Sequence, residues 1–325
     1  MKTTDLSLKW LEIFVAIARS GSVQEAAQET GISISTASHH LRRLEESLGV
    51  QLFDHGRRPL RVTPAGAAFQ QQIDTALKLI RRAEAGVRAG DLAETRQLSL
   101  ALIEDFDADI APELARMLTT AMPRCRFSHL TRPSHEIISL LREQRIDIGV
   151  AACPETLPPE LSETPLVRDP YVLARPANGA PDAEALWRGE GELPFLRYAP
   201  DQVMARQIDA QLRRLKHAQP DGHVFDSNQT LMRLVAEGAG WTITTPMNYL
   251  RAGPWHRQIA LAPFPGRRFA RSLSLFTTDL TDMAVAQRVT GLLRQLIAQR
   301  AVKPALAMMP WLATEFRILE EQDAV

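Results

Sequence analysis

The chain has 325 residues, 45% hydrophobic and 23% charged, the make-up of a folded protein with room for two or three domains. Basic and acidic side chains balance at 38 each, so no global basic field points to a polyanion, and any nucleic-acid contact must come from local clusters. No apolar run is long enough to span a bilayer, no secretory signal opens the chain, and two cysteines, Cys125 and Cys153, suit a reducing interior; the expected location is cytoplasmic, with no membrane partner.

The first predicted helix covers residues 6–20, with Trp10, Ile13, Phe14, Ile17 and Ala18 on one face and Gly21 as its stop. Ser22-Val23-Gln24-Glu25 has capping-box form and opens a short second helix, which Thr30-Gly31-Ile32 breaks. A third helix begins near Ser33 and runs to Gly49. Ile34, Ala37, Leu41, Leu44 and Leu48 fall on its apolar face. Ser35, Thr36, His39, Arg42, Arg43 and Glu46 fall on the other, and Ser38 lies nearer the apolar side. A short helix, a Gly-containing turn and a second helix starting with small hydroxyls is how a protein enters the major groove of double-stranded DNA. The candidate contacts are Ser33, Ser35, Thr36, Ser38, His39, Arg42 and Arg43. Hydroxyls permit close approach, imidazole donates or accepts, and arginine suits guanine or phosphate.

Residues 50–53 and 60–63 alternate like strands around the turn Asp54-His55-Gly56-Arg57-Arg58-Pro59. Such a hairpin, or wing, would lay Arg57 and Arg58 beside a phosphate backbone. Thr63-Pro64 then caps and starts a long helix reaching about residue 89. Phe69, Ile73, Ala76, Ile80, Ala83 and Val87 recur on it at alternating spacings of four and three, supplemented by Leu77. That heptad seam predicts a homodimer through this helix, against the plainer alternative of packing on its own domain.

Residues 89–97 read as a hinge. Beyond it, strands at 98–103, 126–130 and 147–151 alternate with helices at 110–121 and 135–144, and the order recurs between 195 and 244. The alternation predicts two α/β lobes with parallel sheets, helices on both faces and a cleft between them. Residues 154–165 and 166–174 would carry the chain across. A returning strand at 271–277 and a helix at 282–299 would complete the first lobe. The domain boundaries expected are 1–63 for the winged unit, 64–90 for the linker helix, 91–300 for the two lobes and 301–325 for a C-terminal extension. Within the lobed region, the first takes about 91–165 plus 266–300 and the second about 166–265.

This combination resembles the LysR-type transcriptional regulators. The resemblance is carried by Ala26-Ala27 in the Ser-capped helix, the recognition helix with Ser33 and Ser38, Leu44-Glu45, Leu48-Gly49, Leu52-Phe53 and Thr63-Pro64-Ala65-Gly66. It implies a winged helix-turn-helix, a linker-helix dimer and usually a homotetramer. It also implies a periplasmic-binding-protein-like effector domain, with RNA polymerase as a further partner. Members commonly carry Gln where this chain has Ile34, Leu at Thr30, Val at Ala37, Gln at His40 and Arg near Asp54-His55. An apolar Ile34 trades a hydrogen-bonding side chain for contact with thymine methyls, so the operator bases do not transfer from other members.

Ligands of open α/β sheets sit outside the carboxyl ends of the strands. That places the effector near Glu104, Asp105, Phe106, Thr131, Arg132, Ser134 and Ala152 of the first lobe. In the second it points to Tyr198, Asp226, Ser227, Thr244, Thr245 and Met247. Glu104, Asp105, Asp107 and Asp109 crowd one helix start with negative charge, which either serves to cap that helix or favours a cationic, zwitterionic or neutral polar effector over a carboxylate. A thiol sensor of the same fold would use Cys125 and Cys153, though no basic neighbour surrounds Cys153. A solute-binding protein would leave residues 1–66 without a role. The eight histidines show no metal-ligand spacing, and no phosphate loop or nucleophile elbow is present, so no metal, cofactor or enzymatic activity is expected.

Overall fold

The computed structural model describes residues 6–57, 59–87, 97–217, 219 and 222–320, with the backbone alone for 78 and 81–87. Arg58, the 88–96 part of the hinge, the end of the C-terminal extension and the side chains of Ala83 and Val87 lie outside the described residues. The chain divides into two compact units, Met1–Gly90 and Asp91–Val325.

The first unit opens with α1 (Leu8–Ser20), α2 (Val23–Thr30) and α3 (Ile34–Leu48). Ser22 Oγ accepts the Glu25 N–H at 3.3 Å, while the Ser22 N–H turns to Ser20 Oγ, so the capping box forms in one direction only. Gly31 closes α2 in left-handed backbone at φ 70°, which lets α3 start three residues later. The wing is shorter than its sequence alternation: β1 (Phe53–Asp54) pairs antiparallel with β2 (Arg61–Val62). The helix α4 (Pro64–Val87) follows, its Gly66 N–H bound to the Thr63 hydroxyl at 3.0 Å. A Cβ at Gly66 would sit 2.2 Å from the Leu52 carbonyl oxygen, so only glycine lets α4 leave the wing here.

Phe14, Ile17, Ala37, Leu41, Leu44, Leu52 and Phe53 form the core of this unit. Ile73 and Leu77 are buried in that same core, and Phe69 packs edge-on against Phe14 at 5.3 Å. The first half of the expected dimer seam is therefore turned onto its own domain, because α1 offers it an apolar face. Leu79 and Ile80 remain exposed.

The second unit begins with β3 (Gln97–Leu102), a 3₁₀ turn at Glu104–Phe106, α5 (Ala111–Ala121), β4 (Arg126–Thr131), α6 (Ser134–Arg142), β5 (Ile148–Ala152) and β6 (Leu161–Pro170). The chain then crosses to β7 (Val172–Pro176), α7 (Ala183–Trp187), β8 (Arg197–Tyr198), α8 (Val203–Arg214), β9 (Val224–Phe225), α9 (Asn228–Ala236), β10 (Thr242–Thr244), α10 (Pro246–Leu250) and β11 (Ile259–Pro263). It returns through β12 (Ala270–Thr278), α11 (Met283–Ile297), α12 (Lys303–Met308) and β13 (Arg317–Ile318).

The first lobe is a six-stranded sheet in the order β13-β6-β12-β5-β3-β4. Only β3 runs parallel to its neighbours β4 and β5; β12 is antiparallel to β5 and β6. The parallel sheet expected from the βα alternation is thus a mixed one, since the returning strand inserts between β5 and β6. The second lobe pairs β10, β7 and β11 antiparallel and β8 with β9 parallel. Because β6 stays in the first sheet to Pro170, the crossing falls at Tyr171 and not at 165. The C-terminal segment is no detached extension. β13 adds an edge strand to β6, and Phe316 and Leu312 are fully buried.

Candidate nucleic-acid interface and interlobe site

Ser33 caps α3, its hydroxyl accepting the Thr36 N–H at 3.1 Å and meeting the Ser35 and Thr36 hydroxyls at 2.8 and 2.7 Å. Ala37, Leu41 and Leu44 anchor the helix to the core. Ser35, Ser38, His39, Arg42, Arg43 and Glu46 are exposed, and Thr36 is half-buried. Ser38 therefore belongs with the outward face. Ile34 is 51% exposed instead of buried, since it sits one turn beyond the last core side chain. The solvent face so combines hydroxyls, an imidazole, two guanidiniums and one branched aliphatic group, a set able to read both base edges and thymine methyls.

One carboxylate fixes the wing to this helix. Glu45 Oε1 accepts the backbone N–H of Leu52 at 2.7 Å and of Phe53 at 3.2 Å, and Oε2 pairs with His55 Nε2 at 2.9 Å. Arg57 at the wing turn is exposed and lies 3.2 Å from Asp54 Oδ2. A concave surface lined by Ser38, Arg42, Glu46, Gln51, His55 and Leu60, among others, separates α3 from the wing.

Between the lobes the structure assembles a cluster around Asp169 and Arg271, two residues absent from the sequence expectations. Asp169 on β6 and Arg271 on β12 are cross-strand partners. Arg271 Nε and Nη2 reach Asp169 Oδ2 at 2.9 and 2.7 Å, and Nη2 also donates to Asp105 and, at 3.0 Å, to Thr245 Oγ1. Asp169 Oδ1 accepts the Met247 N–H at 3.2 Å, joining the two lobes. Arg271 is 5% exposed and Asp169 not at all. Burial works against the Arg271 charge, but the Asp105 and Asp169 carboxylates outweigh it and raise its pKa. Burial also pushes the Asp169 carboxyl up, against the pull of the guanidinium. Next to it the Tyr198 hydroxyl donates to Asn228 Oδ1 and meets Thr244 Oγ1, each at 2.8 Å. Glu104 takes a hydrogen bond from Arg251, just after α10.

Both thiols are raised by burial. Cys153 is pushed up to about 12, with Glu163 Oε2 at 3.4 Å adding to the effect, and the Asp147 charge adds to burial at Cys125. Among the described residues no group of three or more histidine, cysteine, aspartate or glutamate side chains is placed to hold a metal ion, and no helix is long and apolar enough to cross a membrane.

Residues 8–67 match the profile of the bacterial regulatory helix-turn-helix proteins of the lysR family, and residues 92–298 match the LysR substrate binding domain. The chain belongs to the LysR family. The HTH-type transcriptional regulator TfdS of Cupriavidus pinatubonensis is 32% identical over 145 residues, 45% of this chain and 49% of TfdS. This LysR-family chain thus spans about half the length of the curated relatives it first matches. A cysteine mutant of Corynebacterium glutamicum OxyR shares the fold with a TM-score of 0.68 at 23% identity, covering 93% of this chain and 96% of that one. Full-length CbnR, solved with its target DNA, gives 0.56 at 21% identity over 89% and 99%.

Of the expected effector residues in this LysR-family chain, the structure brings together Asp105, Thr245 and Met247, with Tyr198 and Thr244 in an adjoining network. Phe106 is fully buried in the core and faces no cleft. Ser134 Oγ accepts the Ala152 N–H at 3.2 Å and Ser227 caps α9, both fold-keeping roles. Thr131 donates to Asp107 at 2.9 Å, exposed Arg132 lies 3.4 Å from Glu136, and exposed Asp226 engages Gln202 through its carbonyl. The acids Glu104 and Asp105, which the sequence sets at this helix start, pair with Arg251 and Arg271 in the folded chain. Arg251, Arg271 and Asp169 were missed. For Asp169 and Arg271 the available signal was charged side chains set inside the strands LSETPLVRDP and ARSLSLFTT.

Proposed function

We propose that this chain is a sequence-specific, DNA-binding transcriptional regulator controlled by a small-molecule effector bound between its two α/β lobes. The observation that carries the reading is the outward Ser35-His39-Arg42 face of α3, held in fixed relation to a basic-tipped wing by Glu45. Phosphate contacts from Arg43, Arg57 and Arg58 supply affinity and α3 supplies discrimination. TfdS, described as a transcriptional regulator, and CbnR, solved with its target DNA, support the same partner class.

The exposed Leu79 and Ile80 on α4 support a homodimer through that helix, which would present two recognition helices to two half-sites. A homotetramer and contact with RNA polymerase complete the proposed assembly, in the cytoplasm and without enzymatic activity. The effector acts through its different affinity for two arrangements of lobes and subunits. The raised Cys153 thiol favours this reading over thiol sensing.

Gel-shift titration against genomic fragments at several salt concentrations tests the reading. Discrete fragments should bind with affinity that falls steeply with salt, and R42A should lose the preference among them. Equal, salt-insensitive retention of all fragments would refute it.

A further inference from the structure

Beyond residue 298, where the match to the LysR substrate binding domain ends, the chain runs back along the first lobe and places β13 beside β6. Arg317 then stands opposite Arg168, just ahead of the crossing at Tyr171. Glu315 uses this position. Its Oε2 and its backbone carbonyl accept from Arg168 Nη1 at 2.5 and 2.8 Å, and its Oε1 lies 3.7 Å from Arg268 Nη1. Arg168 stands on the outgoing strand β6, and Arg268 on the returning passage between β11 and β12. One carboxylate therefore reaches both passages that join the lobes. The two passages also hold each other: the Tyr171 N–H donates to the Phe269 carbonyl at 3.0 Å, and the two rings stack with centroids 4.2 Å apart. From the second lobe, α8 grips the same places. Gln207 accepts the Tyr171 hydroxyl at 2.6 Å, and Gln211 donates to the Arg267 carbonyl at 2.8 Å.

We propose that the C-terminal segment is a hinge clamp, in which Glu315 ties the outgoing and returning passages together through Arg168 and Arg268 and limits how far one lobe turns on the other. The anchor is firm and the grip is light. Leu312 and Phe316 flank Glu315 in sequence and are fully buried, which fixes where its carboxylate stands. Arg268 is 55% exposed, and an ion pair so open to solvent is weak. Such a grip can open while both lobes stay folded, which is what a hinge requires. Arg168 and Asp169 are neighbours on β6 and point to opposite faces of the strand, so the clamp is separate from the Asp169–Arg271 pair. Glu315 thus biases the balance of lobe arrangements from outside the cleft, whatever the cleft binds.

Hydrogen exchange of the full chain, read by mass spectrometry on the peptides containing Tyr171 and Phe269, tests the clamp, with a peptide from β3 as control. E315Q keeps the backbone acceptor of Arg168 and loses the charge. Exchange in both peptides should rise about fivefold while the control stays unchanged. R268Q should raise it about twofold, and R268K, which retains the charge, should exchange as the wild type does. If E315Q does not fold, R268Q alone must show a rise confined to the two peptides. Unchanged exchange in E315Q and R268Q, an equal rise in the control, or a rise in R268K as large as in R268Q overturns the proposal. No DNA or effector enters the measurement, so its failure leaves the reading of α3 as it stands.

Discussion

Glu45 accepts the Leu52 N–H at 2.7 Å, so α3 carries the first strand of the wing on its own carboxylate. In E45A, the Leu52 and Phe53 N–H groups lose their acceptor and His55 loses its partner. The expected cost is about 1–3 kcal/mol of stability in the N-terminal unit. Urea unfolding reads it, and DNA affinity should fall further than the stability loss alone implies because the wing is no longer fixed to α3.

Arg271 and Asp169 predict a larger effect in the second unit. R271M removes the only described cation that bonds Asp169 and leaves that carboxylate buried beside Asp105. Breaking a buried pair from one side costs about 3–5 kcal/mol. Calorimetry should show the transition of the C-terminal unit displaced downward while that of the N-terminal unit stays in place.

Cys153 should behave as an inert thiol. A pKa of about 12 leaves roughly a thousandfold less thiolate near neutral pH than an ordinary cysteine has. Alkylation by iodoacetamide of the C125S variant should be slow in the folded state and become rapid in urea. Fast alkylation of the folded protein at neutral pH would return the thiol-sensing alternative to consideration.

His40 gives a pH dependence. Burial, then the nearby His39 and Lys9 charges, lower its pKa below the ordinary 6.5, and its Nδ1 is buried without a partner. The folded state therefore binds this proton less readily than the unfolded chain. Its stabilising contribution is intact above the unfolded pKa and is lost as pH falls through the lowered folded value. Urea midpoints of the N-terminal unit should drop as pH falls through and below the ordinary histidine value of 6.5, and the drop should be smaller in H40Q.

The N-terminal unit was legible in the sequence because its signals are local. The Ser33 cap, the Gly21 and Gly31 stops and the Ala37-Leu41-Leu44 stripe each act within a few residues. Ile34 escaped that logic, since helical angle puts it on the apolar side but the core ends before it. In the lobes, the order of strands and helices could be read, whereas the sheet's direction could not. The Arg271–Asp169 contact joins residues 102 positions apart, and only the insertion of β12 beside β6 brings them together. The same insertion makes the sheet mixed and gives Asp105 its partner in Arg271. The α4 seam shows the opposite limit, because one heptad pattern served both a domain core at Ile73 and an open face at Ile80.

The central claim is that α3 reads DNA sequence, and genome-wide mapping of sites bound by the wild type and by R42A tests it most directly. The account predicts discrete wild-type sites built from paired half-sites, with R42A losing them while remaining folded. A wild type without discrete sites, or an R42A map identical to it, would contradict the account.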